Sequence, residues 1–169
     1  MRSCCAGRCG PHEHDLATPV TTRRLLALNV GSSTLKGASY LFNTEGHGAQ
    51  SRLLERSRAE IPVGVDAQER LATLLEALSE PWPSPDVVVH RIVHGGDLHD
   101  ARELDETVLA KLDALVPFAP LHQPVALAFA RAARMRWPHA RQGVAFDTDF
   151  HASLAPWSRR LHVPEAWDA

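Results

Sequence analysis

The stretch LLALNVGSSTLKGASYLF, residues 25–42, decides the fold of this chain. An apolar run over residues 25–30 ends in a polar, glycine-led turn over 31–34, and a second apolar run returns over 35–42. Buried strands are read from such short apolar runs bounded by turn residues. The stretch therefore predicts a β-hairpin whose two strands pair antiparallel at the centre of a sheet.

The tip of this hairpin carries groups that suit an anion. Gly31 allows a ligand to approach the backbone closely, and the hydroxyls and N–H groups of Ser32, Ser33 and Thr34 can converge on one phosphate. Lys36 adds a compact positive charge just beyond the turn. The alternative is a surface hairpin with a lysine whose stem lies along apolar surface and whose amine stays in water.

Composition limits the class of protein. The chain has 169 residues, a hydrophobic content of 44% and a formal net charge of −2, which is typical of one globular domain. This charge predicts no nucleic-acid partner, and no apolar run approaches the ~20 residues that span a bilayer. The N-terminus lacks the apolar segment of a secretory signal, so the expected location is the cytoplasm.

Residues 1–22 are expected to be a disordered extension, or to result from a start codon assigned too early. They hold the three cysteines, Cys4, Cys5 and Cys9. Zinc sites favour paired ligands with defined spacing, and two adjacent cysteines do not easily face one metal. The domain itself is expected over residues 23–169.

Beyond the hairpin, the patterns alternate between strand and helix, which predicts an α/β domain with a mixed sheet. Asp66 and Glu69 form a capping box ahead of a leucine stripe at helical spacing. The predicted elements are a strand over 52–63, this helix, a strand over 86–94, helices over 105–116 and 125–137, and a strand over 143–146.

The strand segment HRIVHGG, residues 90–96, places Arg91 among valines. A buried guanidinium needs an anionic partner, and its forked donors fit a carboxylate or phosphate in a bidentate grip. The alternative is a structural ion pair with an internal acid such as Glu103.

The segment FDTDFH, residues 146–151, places Asp147 at the end of a predicted strand. Ligand sites in open α/β sheets gather at such strand ends, so this carboxylate is a candidate Mg²⁺ partner. A lone acid there also suits a turn or a helix cap.

The chain resembles the acetokinase family over about residues 24–165. NVGSSTLKG resembles its phosphate turn, HRIVHGG its arginine strand, APLHQP over 119–124 its histidine loop, and FDTDFH its aspartate segment. The resemblance implies the ribonuclease H-like mixed sheet of the sugar kinase, Hsp70 and actin superfamily, in its N-terminal half only.

The resemblance also implies a reaction, in which ATP and acetate reversibly give ADP and acetyl phosphate with Mg²⁺ or Mn²⁺. A homodimer is expected of full-length members. The residues carried over are the catalytic Asp147, the substrate-binding Arg91, Val93 and Leu121, the ATP- or phosphate-binding Lys36, Ser32, Thr34 and His122, and the metal-associated Asn29.

Two departures from the family pattern matter. Asp149 stands where the family has a small residue, and in an extended strand it would share a face with Asp147, where like charges can raise a pKa. The chain is also less than half as long as acetate kinases, so we expect weak ATP affinity and no acetyl phosphate formation by this chain alone. Alternatives are a propionate or butyrate kinase and a non-catalytic domain that binds phosphate or protein.

Overall fold

The structure is a computed structural model, and it describes residues 22–31, 33–43, 50–60, 66–77, 84–150 and 154–159. Of the extension predicted over 1–22, only Thr22 is described, and it begins a strand, so the domain starts one residue earlier than predicted. The three cysteines and Ser32 fall outside the described ranges. The described residues form these strands and helices in chain order: β1 (Thr22–Val30), β2 (Thr34–Asn43), β3 (Gln50–Glu60), α1 (Ala67–Ala77), β4 (Val87–Ile92), β5 (Arg102–Glu103), α2 (Glu106–Ala114), α3 (Gln123–Arg136), β6 (Arg141–Phe146), α4 (Asp147–Phe150) and α5 (Pro156–Arg159).

The strands form one six-stranded mixed sheet in the order β3-β2-β1-β4-β6-β5. β1 pairs antiparallel with β2, and the backbone N–H of Gly31 donates to the carbonyl of Thr34 at 2.8 Å to close the turn. β1, β4 and β6 run parallel to one another. The hairpin predicted from residues 25–42 is therefore confirmed, and β1 lies inside the sheet with partners on both sides.

Several boundaries differ from the sequence prediction. β4 ends at Ile92, so Val93 and His94 follow the strand instead of belonging to it. β6 starts at Arg141, two residues earlier than predicted, and the two-residue strand β5 at the sheet edge was not predicted. Two residues give too little pattern for a strand to be recognised from sequence.

Helices α1, α2 and α3 pack on one face of the sheet and bury its apolar side chains. Leu26, Leu28 and Val88 join Phe129 of α3 in one cluster, and a second cluster forms between α2, α3 and the ends of β4 and β6. The Asp66 half of the predicted capping box is present: the Asp66 carboxylate accepts the N–H groups of Gln68 and Glu69 at 2.7 and 2.9 Å. This face supplies the hydrophobic stabilisation of the domain.

The opposite face of the sheet has no helix over it within the described residues. Its side chains alternate with the buried ones along each strand, and Ala27, Ala38, Val89 and Ala145 are only half-buried. None of the described helices is both long and apolar enough to cross a membrane.

Candidate active site

Arg91 lies at the centre of a hydrogen-bonded group on the open face of the sheet. Its Nε and Nη2 donate to Oδ1 and Oδ2 of Asp147 at 2.7 and 2.5 Å, in the bidentate geometry that guanidinium and carboxylate groups favour. Its Nη1 donates to Oδ1 of Asn29 at 2.9 Å. Asn29 and Asp147 are 118 positions apart in the sequence, yet both bind the side chain of Arg91.

The parallel arrangement of β1, β4 and β6 explains this meeting. Arg91 of β4 lies beside Ala145 of β6, and Asp147 comes directly after the last residue of β6. Asn29 is the next-to-last residue of β1, the other neighbour of β4. Because parallel strands end at the same edge of a sheet, all three polar groups collect at the edge where ligands of open α/β sheets bind.

The guanidinium of Arg91 is accessible to solvent, contrary to the expectation of a buried group. The Arg91 side chain is 46% exposed and that of Asp147 is 36% exposed. The hydrogen bonds that Arg91 donates to Asp147 raise the pKa of Arg91, and partial burial opposes that rise. The expected alternative partner, Glu103, instead accepts a hydrogen bond from Arg141 at 2.9 Å.

Lys36 and Arg91 border a groove of about 510 Å³ on the same face. Lys36 lies directly opposite Asn29 in the β1–β2 register, so both side chains point to this face. Sequence reasoning missed two further cations of the groove, Arg56 and Arg58 on β3. The alternating RSR triplet was the available signal.

The remaining predicted site residues are not part of this groove. Leu121 is 78% exposed, His122 is an exposed residue at the N-terminus of α3, and Val93 is half-buried beyond the end of β4. Thr34 begins β2 and accepts the turn hydrogen bond through its carbonyl. Among the described residues, Asn29 and Asp147 both bind Arg91, and Lys36 lines the same groove as Asn29 and Arg91. Asp147 and the residues of the expected methyl pocket and histidine loop do not line that groove.

Gln123 is a third residue that sequence reasoning missed. Its side chain is fully buried at the start of α3, and its amide donates to the carbonyls of His94 at 3.0 Å and Leu112 at 3.3 Å. The N–H of His94 donates back to Gln123 Oε1 at 3.4 Å. Gln123 thus ties the loop after β4 to the helical layer and holds the chain that follows Arg91.

The expectation for Asp149 is corrected by the structure. Residues Asp147–Phe150 form one helical turn and not an extended strand, so Asp147 and Asp149 are not alternate residues of one strand face. Oδ1 of Asp149 instead lies 3.7 Å from Nδ1 of His99. The turn is held in place because Thr148 Oγ1 accepts the N–H of Gly95 at 3.1 Å.

The oxygen donors at this edge are those that Mg²⁺ prefers. Asp147 offers a carboxylate and Asn29 an amide oxygen, and Mg²⁺ in phosphate-transfer sites takes one or two protein carboxylates, with phosphate and water completing the shell. The described residues contain no cluster of three or more histidine, cysteine or acidic side chains that could hold a metal unaided. A carboxylate and an amide oxygen at one point are therefore a donor pair that fits Mg²⁺ bound together with phosphate and water.

Comparisons with known proteins identify the family of this chain. A model of the acetokinase family matches residues 24–169. The chain is 34% identical over 159 residues to the acetate kinase of Deinococcus radiodurans, covering 84% of this chain and 40% of that protein. It is 33% identical over 134 residues to the acetate kinase of Methylocella silvestris, covering 78% of this chain and 33% of that protein.

Solved structures agree as well. The acetate kinase of Porphyromonas gingivalis matches with a TM-score of 0.57 and 26% identity, covering 85% of this chain and 42% of that one. A propionate kinase from Francisella tularensis matches in fold with a TM-score of 0.54 and 22% identity, covering 85% of this chain and 41% of that one. The predicted ribonuclease H-like mixed sheet is confirmed. The chain spans well under half the length of these relatives, and it belongs to the acetokinase family.

Proposed function

We propose that this chain is the part of an acetate kinase that binds acetate and the ATP phosphates, and that it needs further protein groups to complete the reaction. The observation that carries the proposal is the accessible guanidinium of Arg91, held between Asn29 and Asp147 at the edge where three parallel strands end. The planar guanidinium group presents paired N–H donors at this edge of the sheet, and paired donors of this kind suit a small carboxylate.

In the proposed reaction, a carboxylate oxygen of acetate attacks the γ-phosphorus of ATP. A new oxygen–phosphorus bond forms, the bond to the β-phosphate oxygen breaks, and ADP leaves with the electron pair. Such transfers depend mainly on positioning and on neutralising charge. Arg91 would orient the attacking carboxylate, and the Lys36 ammonium would stabilise negative charge on the phosphates.

Asp147 and Asn29 have two roles in this proposal. In the structure they hold the guanidinium plane of Arg91 through three hydrogen bonds. In the loaded site, the oxygens of these two residues would hold Mg²⁺ together with phosphate and water. The metal, when bound, supplies positive charge that offsets the charge on the transferred group.

The first experiment measures acetate binding to the purified 169-residue chain by saturation-transfer NMR. Arg91→Ala should weaken binding about tenfold or more, because a charge-assisted bidentate contact is lost. Arg131→Ala is the matched control, since Arg131 also forms a 2.5 Å ion pair, with Asp113, and its side chain is likewise 46% exposed. Equal loss in both variants, or none in Arg91→Ala, would contradict the proposal.

The second experiment is a coupled hydroxamate assay with ATP, Mg²⁺ and acetate. The chain alone should give no acetyl phosphate, whereas addition of the C-terminal part of the Deinococcus radiodurans acetate kinase should restore turnover. Asp147→Asn should abolish the restored activity. Turnover by the chain alone that disappears in Arg91→Ala would support the kinase assignment but refute the expected incompleteness.

A further inference from the structure

A separate cavity lies between the loop that follows β4 and the end of α2. Its walls are residues 94–98 of the loop, Lys111 and Ala114 of α2, and Leu115 and Phe118 beyond that helix. None of these residues lines the groove beside Arg91. The volume of about 660 Å³ falls within the range of small-molecule sites in proteins.

The loop that forms one wall of this cavity is held in shape by its own hydrogen bonds. Gly96 has a φ of 60°, in the left-handed region that glycine adopts without strain. Its N–H donates to Nδ1 of His94 at 3.0 Å, and the N–H of Leu98 donates to the carbonyl of Gly95 at 3.0 Å. A wall that is already ordered lowers the cost of binding a ligand, because little further ordering is needed.

His94 presents a defined hydrogen-bond donor. Since Nδ1 of His94 accepts the N–H of Gly96, the proton of the neutral imidazole is on Nε2. The ring packs against that of Phe118, with the two centroids 5.4 Å apart. Among the described residues, no group accepts a hydrogen bond from His94 Nε2. This donor is therefore available to an oxygen atom of a ligand.

Two unpaired charges of opposite sign line the same cavity. Lys111 and Asp97 are both exposed, and within the part of the chain that the structure describes neither forms a side-chain hydrogen bond or an ion pair. The carboxyl end of α2, at Ala114, adds partial negative charge. A ligand with a single charge would be attracted by one of these side chains and repelled by the other. The arrangement therefore favours a zwitterion.

The cavity also offers an apolar surface. Leu98 is buried and Leu115 is half-buried, whereas Phe118 is 71% exposed. An apolar group that enters the cavity would cover the accessible ring of Phe118 and remove apolar surface from water. An aromatic group would gain more, because paired rings are stabilised beyond the area that they bury.

We propose that this cavity binds a free α-amino acid with an apolar side chain. The carboxylate is bound by Lys111 and by Nε2–H of His94, the ammonium group is bound by Asp97, and the side chain packs on Phe118. The site is independent of the proposed kinase reaction, in which Lys111 and Asp97 have no part.

The probes are L-phenylalanine, 3-phenylpropionate, which lacks the ammonium group, and phenethylamine, which lacks the carboxylate. Their dissociation constants are measured by NMR titration of the 169-residue chain. L-Phenylalanine should bind at least about tenfold more tightly than either analogue, because each analogue loses a charged hydrogen bond. Lys111→Met should weaken L-phenylalanine about tenfold but should not weaken phenethylamine. Asp97→Asn should weaken L-phenylalanine by a similar factor but should not weaken 3-phenylpropionate.

Asp100→Asn is the matched control. Asp100 is an exposed acid further along the same loop that does not line the cavity, and asparagine tolerates its φ of 62°. This variant should bind all three probes like the unchanged chain, and circular dichroism checks that each variant is folded.

Three results would overturn the proposal: equal affinity for the three probes, equal loss of L-phenylalanine binding in the Asp97 and Asp100 variants, or no L-phenylalanine binding by the folded chain. Acetate binding should be unchanged in Asp97→Asn and Lys111→Met. A failure of this proposal is therefore distinguishable from a failure of the kinase proposal.

Discussion

Replacing the buried Gln123 by leucine should destabilise the domain by about 2 kcal/mol. Leucine has a similar volume, so the change removes hydrogen bonds without leaving a large cavity. The carbonyl of Leu112 keeps a partner, because it also accepts the N–H of Leu115 at 3.2 Å. The carbonyl and N–H of His94 lose the side-chain contacts at 3.0 and 3.4 Å.

The size of the effect follows from these contacts. A buried polar group left without a partner costs about 1–3 kcal/mol, whereas a typical hydrogen bond contributes about 1 kcal/mol net. The 3.4 Å contact is long and weak, and His94 is only partly buried, so water can partly replace the lost amide. The carbonyl of His94 therefore accounts for most of the expected 2 kcal/mol.

Urea unfolding followed by circular dichroism measures this change. Gln142→Leu is the matched control: Gln142 is 7% exposed, bonds only through Oε1 to His90 at 2.9 Å, and has an Nε2 with no partner among the described residues. Its replacement leaves Nε2 of the buried His90 without a partner, but it also removes the unsatisfied Nε2 of Gln142. Because the two effects partly offset each other, the free energy of unfolding should fall by about 1 kcal/mol. The reasoning fails if Gln123→Leu costs no more than Gln142→Leu.

Three more perturbations test the fold. Burial lowers the pKa of His90, so the unfolded chain binds a proton that the folded chain does not, and the free energy of unfolding should fall by up to about 1.4 kcal/mol between pH 7.5 and 5.5 in urea titrations. Gly95→Ala should lower the melting temperature, because its Cβ would lie 2.6 Å from Cγ of Phe146. Asp105→Ala should lower the free energy of unfolding, measured by urea unfolding, by about 1 kcal/mol. The reason is that Asp105 caps α2 by accepting the N–H of Val108 at 2.7 Å.

Each of these has an internal control. His139 is exposed, so His139→Asn should keep the pH dependence that His90→Asn removes. Gly143→Ala brings no contact under 3.4 Å and should be milder than Gly95→Ala. Asp113→Ala removes an exposed acid late in α2, where a carboxylate is unfavourable to the helix dipole, and should cost less than Asp105→Ala. If a control variant showed the larger effect in any of these three pairs, the structural reason given for that pair would be wrong.

The hairpin and the meeting of its polar residues with Arg91 and Asp147 were predictable because they follow from short-range patterns. An apolar run, a glycine turn and a returning run encode β1 and β2, and parallel strands then bring their carboxyl ends together. The predicted helices appear as α1, α2 and α3, and described residues of each, including Leu71, Leu109 and Phe129, belong to the core clusters. Periodicity and caps carry this information locally.

The features that were missed depend on long-range pairing. Arg56 and Arg58 face the groove because β3 pairs them with Ala38 and Lys36 of β2, and the bulge at Leu54 turns the earlier part of β3 to the other face. The helical turn at Asp147 is held by Thr148 accepting a hydrogen bond from Gly95, 53 residues earlier. Both features depend on contacts between residues far apart in the chain, so no short stretch of sequence predicts them.

The exposure of Arg91 also could not be predicted, and it decides what the site can do. Valines on both sides of an arginine indicate burial only if a helix covers that face, and none of the described helices does. An exposed ion pair contributes only about 0–1 kcal/mol. In the proposed function, a carboxylate ligand would therefore replace Asp147 on the guanidinium at little cost, and Asp147 would then be free to bind the metal. A buried pair would resist that exchange by several kcal/mol. The open sheet face is thus what makes the same arginine suitable both as an anchor for Asp147 and as a reversible carboxylate site.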